Sequence, residues 1–515
     1  MSTSQALPTT SSGPIEPDAR RRRSILIAVC IALMAVISSV TGLNVAQPDL
    51  ALAFGASQST VLWIINSYTL TLAALLLTLG AVGDRWGRKT VLLIGLVIFG
   101  AANLIGGVAQ SAEVMLGARV LSGIGAAMIM PVTLAVITST FPAKERGRAI
   151  GVWTGVAGGG GILGMFLSAA LVDVANWRYL FILPIALVLV AIAMALRSVP
   201  NSRTGSAAAF DIVGALTSIV AVVGLVFFLQ EGPEQGWSAP ATLSSLVVGL
   251  AAVAGFVAWE LRHPAPLLPV RLFKERGLAS GSVVLLVVFG VQAGIFVMLY
   301  PYFQTVLGWS GLLSTAGLMP MALLMMVASG ISPRLTERIG TRASMITGIT
   351  LAAAGLGLLA VLVSVDGGYL CILPGMAAMG LGMGIAMTPS TEVITGALPR
   401  EQQGVASALN DVTREFGTAL GVALLGALLT AGYRAAIGPA LNGVPARTAD
   451  AAREGIANAL HAPQMTPELV DAAKQAFVDG WQTSMWAGMV LMAAVAVFVV
   501  TRGPKKTTVA VGDDR

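Results

Sequence analysis

Apolar runs of about twenty residues, free of Asp, Glu, Lys and Arg over most of their length, recur along the whole chain. That is the length an α-helix needs to cross the hydrocarbon core of a bilayer. In lipid every backbone polar group must be satisfied internally, so a spanning segment is either a helix or a strand of a closed barrel. These runs are continuously apolar and do not alternate with period two, which selects helices. Charged residues make up only 11% of the 515, against 56% hydrophobic, where soluble domains carry roughly 25% charge. The sequence therefore predicts an all-α integral membrane protein.

The predicted spans cover 25–46, 60–80, 90–108, 114–137, 147–170, 178–196, 211–229, 242–261, 278–300, 312–332, 342–364, 370–391, 403–431 and 482–501. The first is too long for a signal-peptide core and lacks a clear cleavage site, so it is expected to be retained as a helix. Positive charge tests the count of fourteen. With the N-terminus in the cytoplasm, all but seven of the 31 Lys and Arg residues fall in the tails or in connections on the cytoplasmic side. The seven exceptions are Arg119, Arg178, Arg414, Arg434, Arg447, Arg453 and Lys474. Such asymmetry follows the positive-inside rule, and a wrong helix number would scramble it. Both termini are thus expected inside, in a bacterial plasma or inner membrane; the bias of 25 Arg to 6 Lys suits a high-GC bacterial genome. The net charge of +6 is accounted for by this placement, with no call on nucleic acid.

An internal repeat divides the chain. Asp84-Arg85-Trp86-Gly87-Arg88-Lys89 follows the second span, and Glu337-Arg338-Ile339-Gly340-Thr341-Arg342 follows the tenth. Both read acid-Arg-x-Gly-x-base on a short turn. Duplicated six-helix halves are common in secondary transporters. The expected organisation is a cytoplasmic tail at 1–24, a six-helix bundle at 25–200, a two-helix insertion with linkers at 201–277, a second six-helix bundle at 278–501, and a tail at 502–515. Residues 432–481 form a long outer loop with two helix-like stretches. It either caps the outer mouth or is a solvated insertion.

Several ordered motifs resemble the major facilitator superfamily, and within it the fourteen-helix drug:proton antiporters. Gly80-Ala-Val-Gly83-Asp84-Arg85-Trp-Gly87-Arg88-Lys89 is similar to the superfamily's loop signature. Leu116-Gly-Ala-Arg119-Val-Leu-Ser-Gly123-Ile-Gly125 is similar to its fourth-helix motif, and the glycine run from Gly151 to Gly164 to the fifth-helix motif of its antiporters. Gly404-Val-Ala-Ser407-Ala-Leu-Asn410, leading to Arg414 and Gly417, adds another match. The resemblance implies a secondary exporter of hydrophobic and often cationic small molecules, driven by protons through alternating access. It implies no enzyme activity, no cofactor beyond the proton gradient, and function as a monomer. The partners expected are the bilayer, small-molecule substrates and protons.

Each motif also has a physical reading. In the loop signature Gly80, Gly83 and Gly87 allow tight turning, and Asp84 can pair with Arg85 or Arg88 or cap the next helix. This set is expected to act as a cytoplasmic latch. The Gly83–Thr90 string lacks the spacing of a phosphate loop and follows a membrane span. Arg119 lies inside a span, where a charge costs at least about 2.5 kcal/mol; it either faces a cavity or snorkels to the outer end. Gly151, Gly155, Gly159, Gly160 and Gly164 suit close helix packing between the two halves. Where the family often carries an acid in the first helix this chain has Ser39, which cannot titrate. The intramembrane acids left are Asp411 and Glu415 on the thirteenth span, flanking Arg414, and Glu392 at the end of the twelfth. Asp411 and Glu415 share a helix face, and with Arg414 and Arg119 they are the candidates for proton coupling; a self-neutralised structural cluster is the alternative. Candidate cavity residues are Ser39, Asn44, Asn66, Tyr68, Gln292, Tyr300 and Asn410.

Two other classes are weighed. A dedicated exporter or facilitator of one endogenous metabolite or lipid, not driven by protons, is consistent with Ser39. A membrane sensor or polytopic enzyme is disfavoured, since the two histidines, His263 and His461, lie in loops and no metal-ligand cluster or nucleophile–base pair stands out.

Overall fold

The computed structural model describes residues 18–174, 176–202, 210–460, 462 and 466–504. The tails expected at 1–24 and 502–515 therefore lie mostly outside the described residues. Fourteen helices are long and apolar enough to span a bilayer, and no strand occurs among the described residues. They are α1 (Ala19–Val45), α2 (Gln58–Trp86), α3 (Arg88–Gly107), α4 (Ala112–Thr140), α5 (Ala143–Val174), α6 (Ile182–Ser198), α7 (Ile212–Gln235), α8 (Pro240–Glu260), α9 (Arg276–Pro301), α10 (Gly311–Ile339), α11 (Thr341–Leu362), α12 (Gly368–Gly396), α13 (Gln403–Ile437) and α14 (Pro467–Arg502).

Packing sorts them into two sets of six. Helix α1 packs on α5 and α6, α4 on α2 and α3, and α3 on α6; in the second set α12 packs on α10 and α11, α9 on α13, and α14 on α11 and α13. The sets meet along α5–α10 and α2–α13, with α4–α13 and α5–α12 beside them. Helices α7 and α8 pair with each other, and α7 leans on α2 and α13.

Large apolar side chains are exposed on the outside of the bundle, among them Val97, Leu104, Leu189, Val247, Val361 and Val490. Lipid tails are as apolar as these side chains, so helix association depends on close backbone approach. Glycine supplies it. A Cβ on Gly421 of α13 would overlap the Gly290 carbonyl of α9, and one on Gly224 of α7 would lie 2.7 Å from Gly249 Cα of α8.

Helix ends run past the apolar windows. Helix α14 begins at Pro467, within the stretch read as loop, because Thr466 caps Leu469 and the mixed-charge turns after it continue the same helix. Helix α13 runs on to Ile437. Between them, Ala446–Glu454 and Ile456–Leu460 are helical. Tyr433 Oη donates to the Ala452 carbonyl at 2.8 Å, and Ala452, Ile456 and Ala459 are buried. The solvated-insertion reading of 432–481 is corrected: its core is folded onto α13 and α14.

Candidate functional site

At one end of the bundle the chain turns from α2 into α3 through Gly87, at φ 105°, a conformation that favours glycine. Gly340, φ 88°, makes the matching turn from α10 into α11. Gly87 brings Arg88 back over Asp84: Arg88 Nη2 and Nε donate to Asp84 Oδ1 at 2.8 and 3.2 Å. Asp84 does not cap the following helix, one of the expected options. Instead it crosses to the other six-helix set and caps α13. Gly404 N donates to both carboxylate oxygens, at 2.9 and 2.7 Å, and Val405 N to Oδ2 at 3.2 Å. Arg88 Nη2 also reaches the Arg400 carbonyl at 3.0 Å. A carboxylate at a helix N-terminus meets unsatisfied amides and the positive end of the macrodipole. Directly behind, α2 and α13 touch: a Cβ on Gly80 would lie 2.5 Å from the Gly404 carbonyl. Gly83 packs on Val132 of α4, and Arg85 is half-buried beside Asp84.

The second seam between the sets is α5 on α10. A Cβ on Gly151 would lie 2.6 Å from the Ser329 carbonyl, and Gly155 and Gly159 face Met326. Gly160 and Gly164 differ from expectation. They face Met34, Ser38 and Thr41 of α1, within their own set, because positions along the run turn steadily around a continuous helix. Thr154 and Thr388 hydroxyls meet at 2.9 Å across the boundary.

Arg119 does not snorkel; it is 1% exposed. Its Nη1 donates to Ser39 Oγ at 3.2 Å, and Ser39 Oγ donates to Asn103 Oδ1 at 3.0 Å. Its guanidinium lies 4.3 Å from the centre of the Tyr68 ring. A string of polar groups thus joins α4, α1 and α3. Among the described residues Arg119 forms no ion pair with a carboxylate.

Arg414 is the centre of a second polar cluster, in the other set. Its Nη1 lies 3.3 Å from Asp411 Oδ1, and its guanidinium lies 4.4 Å from the Phe289 ring and 5.4 Å from the Trp153 ring of α5. Asn410 Nδ2 donates to the same Asp411 oxygen at 3.2 Å, while Asp411 Oδ2 is buried with no partner among the described residues. Gln292 is buried, its Oε1 without a partner among the described residues. Glu415 is half-buried, one residue beyond Arg414 on α13. Tyr300 lies two turns beyond Gln292, against Gly311 at the start of α10, and so stands apart from this cluster. Asn66 is half-buried on α2. The Asn44 side chain lies outside the described residues.

Residues 27–422 match the sequence profile of the Major Facilitator Superfamily. The chain belongs to this superfamily. It is similar to the multidrug efflux pump LfrA of Mycolicibacterium smegmatis, 33% identical over 92% of this chain and 94% of that protein. It is also similar to the multidrug resistance protein Stp of Mycobacterium tuberculosis, 31% identical over 81% of this chain and 77% of that one. The solved structure of the proton:xylose symporter XylE superposes with a TM-score of 0.61 at 14% identity, covering 94% of this chain and 96% of that one. The fold is thus that of the superfamily, and the protein is a multi-pass membrane transporter.

Asn103, Phe289, Trp153 and the Thr154–Thr388 pair were not among the residues singled out from this superfamily member's sequence. Asn103 carried a usable signal, a lone amide inside an apolar span. Phe289 and Trp153 carried none, since an aromatic residue in a membrane helix is ordinarily core or lipid-facing.

Proposed function

We propose that the protein is a secondary active exporter of hydrophobic, often cationic, small molecules, working by proton antiport and alternating access in a bacterial plasma membrane. In this reading both termini and the Asp84 end are cytoplasmic, and one chain suffices. The carrying observation is the Asp84–Gly404 clamp: it ties the two six-helix sets together at one end through bonds that can be broken and remade. Relatives that cover most of the chain are named as multidrug efflux and resistance proteins, which supports the substrate class. For proton coupling the available carboxylates are Asp411 and Glu415, beside Arg414. The test is efflux from proteoliposomes driven by an imposed pH gradient; absence of driven efflux across a panel of lipophilic cations contradicts this reading.

A second reading, an uncoupled exporter of one endogenous metabolite or lipid, is favoured by Ser39. Arg119 has a hydroxyl where a carboxylate could take up a proton. Substrate efflux that is indifferent to the pH gradient selects this second reading.

A further inference from the structure

Arginine stays protonated in proteins and cannot shed its charge when buried. Arg119 is nonetheless 1% exposed, deep in the first six-helix set. Among the described residues only Nη1 has a hydrogen-bond partner, Ser39 Oγ; Nε and Nη2 are buried with none. The Tyr68 ring offsets part of the charge but satisfies no N–H. The Tyr68 hydroxyl is also buried, with no partner among the described residues. A buried cation with open, fixed donors is the arrangement that recognises an anion, because charge-assisted bonds to it are strong and a missing partner is expensive.

We propose that Arg119 and Tyr68 form an anion subsite that takes the carboxylate of an amphipathic cargo. The cargo part of this statement rests on the export reading above; the binding part does not. Ser39 is what opens the subsite, since a carboxylate at that position would sit beside Arg119 and occupy it.

The test is calorimetric titration of the purified full chain in detergent micelles, in a sulfate buffer free of chloride. The probes are 2-naphthoate and its uncharged analogue 2-naphthamide. Wild type is expected to bind the acid at least about tenfold tighter than the amide. Arg119→Gln and Ser39→Asp should each lose that preference, the first by removing the cation and the second by pairing it internally. Should Arg119→Gln fail to fold, Ser39→Asp, which keeps the arginine, decides alone. Equal binding of acid and amide by wild type, or a preference that survives Ser39→Asp, overturns the proposal. So does saturation by chloride that naphthoate cannot displace, which would mark a halide site. Vesicle efflux is measured separately: acid-selective binding without efflux contradicts the export reading alone, and efflux with acid–amide parity contradicts only the subsite.

Discussion

The backbone amide of Gly404 donates to both carboxylate oxygens of Asp84, at 2.9 and 2.7 Å. Asp84 ends α2 in one six-helix set and Gly404 begins α13 in the other, so this contact fastens the two sets at one end of the molecule. The pair also sits where α2 and α13 approach with no side chain between them. Breaking it therefore frees a helix crossing as well as a charge.

Asp84→Asn keeps the shape of the side chain and removes the charge. Hydrogen bonds to charged groups contribute about 1.5–3 kcal/mol, and about 1.4 kcal/mol is a factor of ten in rate. The variant should transport roughly tenfold more slowly at unchanged membrane abundance. Initial efflux rates normalised to protein in the membrane check this; wild-type turnover contradicts the latch.

Gly404→Ala crowds the crossing with every charge kept, and its Cβ would also lie 2.8 Å from Oδ2 of the Asp84 carboxylate. The added methyl would overlap the Gly80 carbonyl, and overpacking of this kind costs about 1–3 kcal/mol. Ser407, buried one turn along α13, should become accessible as the end opens. In a background with Cys30 and Cys371 replaced, Ser407→Cys is expected to react with a thiol reagent several-fold faster when Gly404→Ala is present. Gly426→Ala on the same helix, where an added Cβ meets nothing within 4 Å, should leave the labelling rate unchanged.

The fourteen spans were legible because apolar length is a constraint imposed by the bilayer itself, and the arginine pattern fixed their number independently. Boundaries were less so. The start of α14 at Pro467 is amphipathic and packs on its neighbours, so hydropathy reads it as loop. At the site, the glycine-rich turn singles out Asp84 and Arg88, yet the partners of Asp84 at Gly404 and Val405 are backbone amides, which leave no trace in side-chain identity. Arg119 was ambiguous for a related reason. Its depth along α4 suited snorkelling, and only the packing of α1 and α2 around it, through Ser39 and Tyr68, encloses it. The spacing of the glycine run on α5 suggests one seam, but a helix turns, and Gly160 and Gly164 face α1.

Gly421→Ala should damage the fold and not the transport cycle. Its added Cβ would overlap the Gly290 carbonyl within one six-helix set, at the close crossing of α9 and α13. A loss of about 1–3 kcal/mol is expected, seen as a lowered midpoint in a thermal unfolding series and reduced yield in detergent. An unchanged midpoint contradicts the close-approach account of this crossing.

Asp411 and Glu415 separate coupling from substrate passage. If either carries the proton, Asp411→Asn or Glu415→Gln abolishes pH-gradient-driven efflux from vesicles while substrate exchange continues. Unchanged driven efflux in both variants leaves the Asp411–Arg414 pair a structural one.

Proton movement during export tests the central claim most directly. In proteoliposomes carrying a pH indicator, wild-type protein is expected to move protons in the direction opposite to a lipophilic cation, in proportion to the cation exported. Export with no accompanying proton flux would contradict the antiport account.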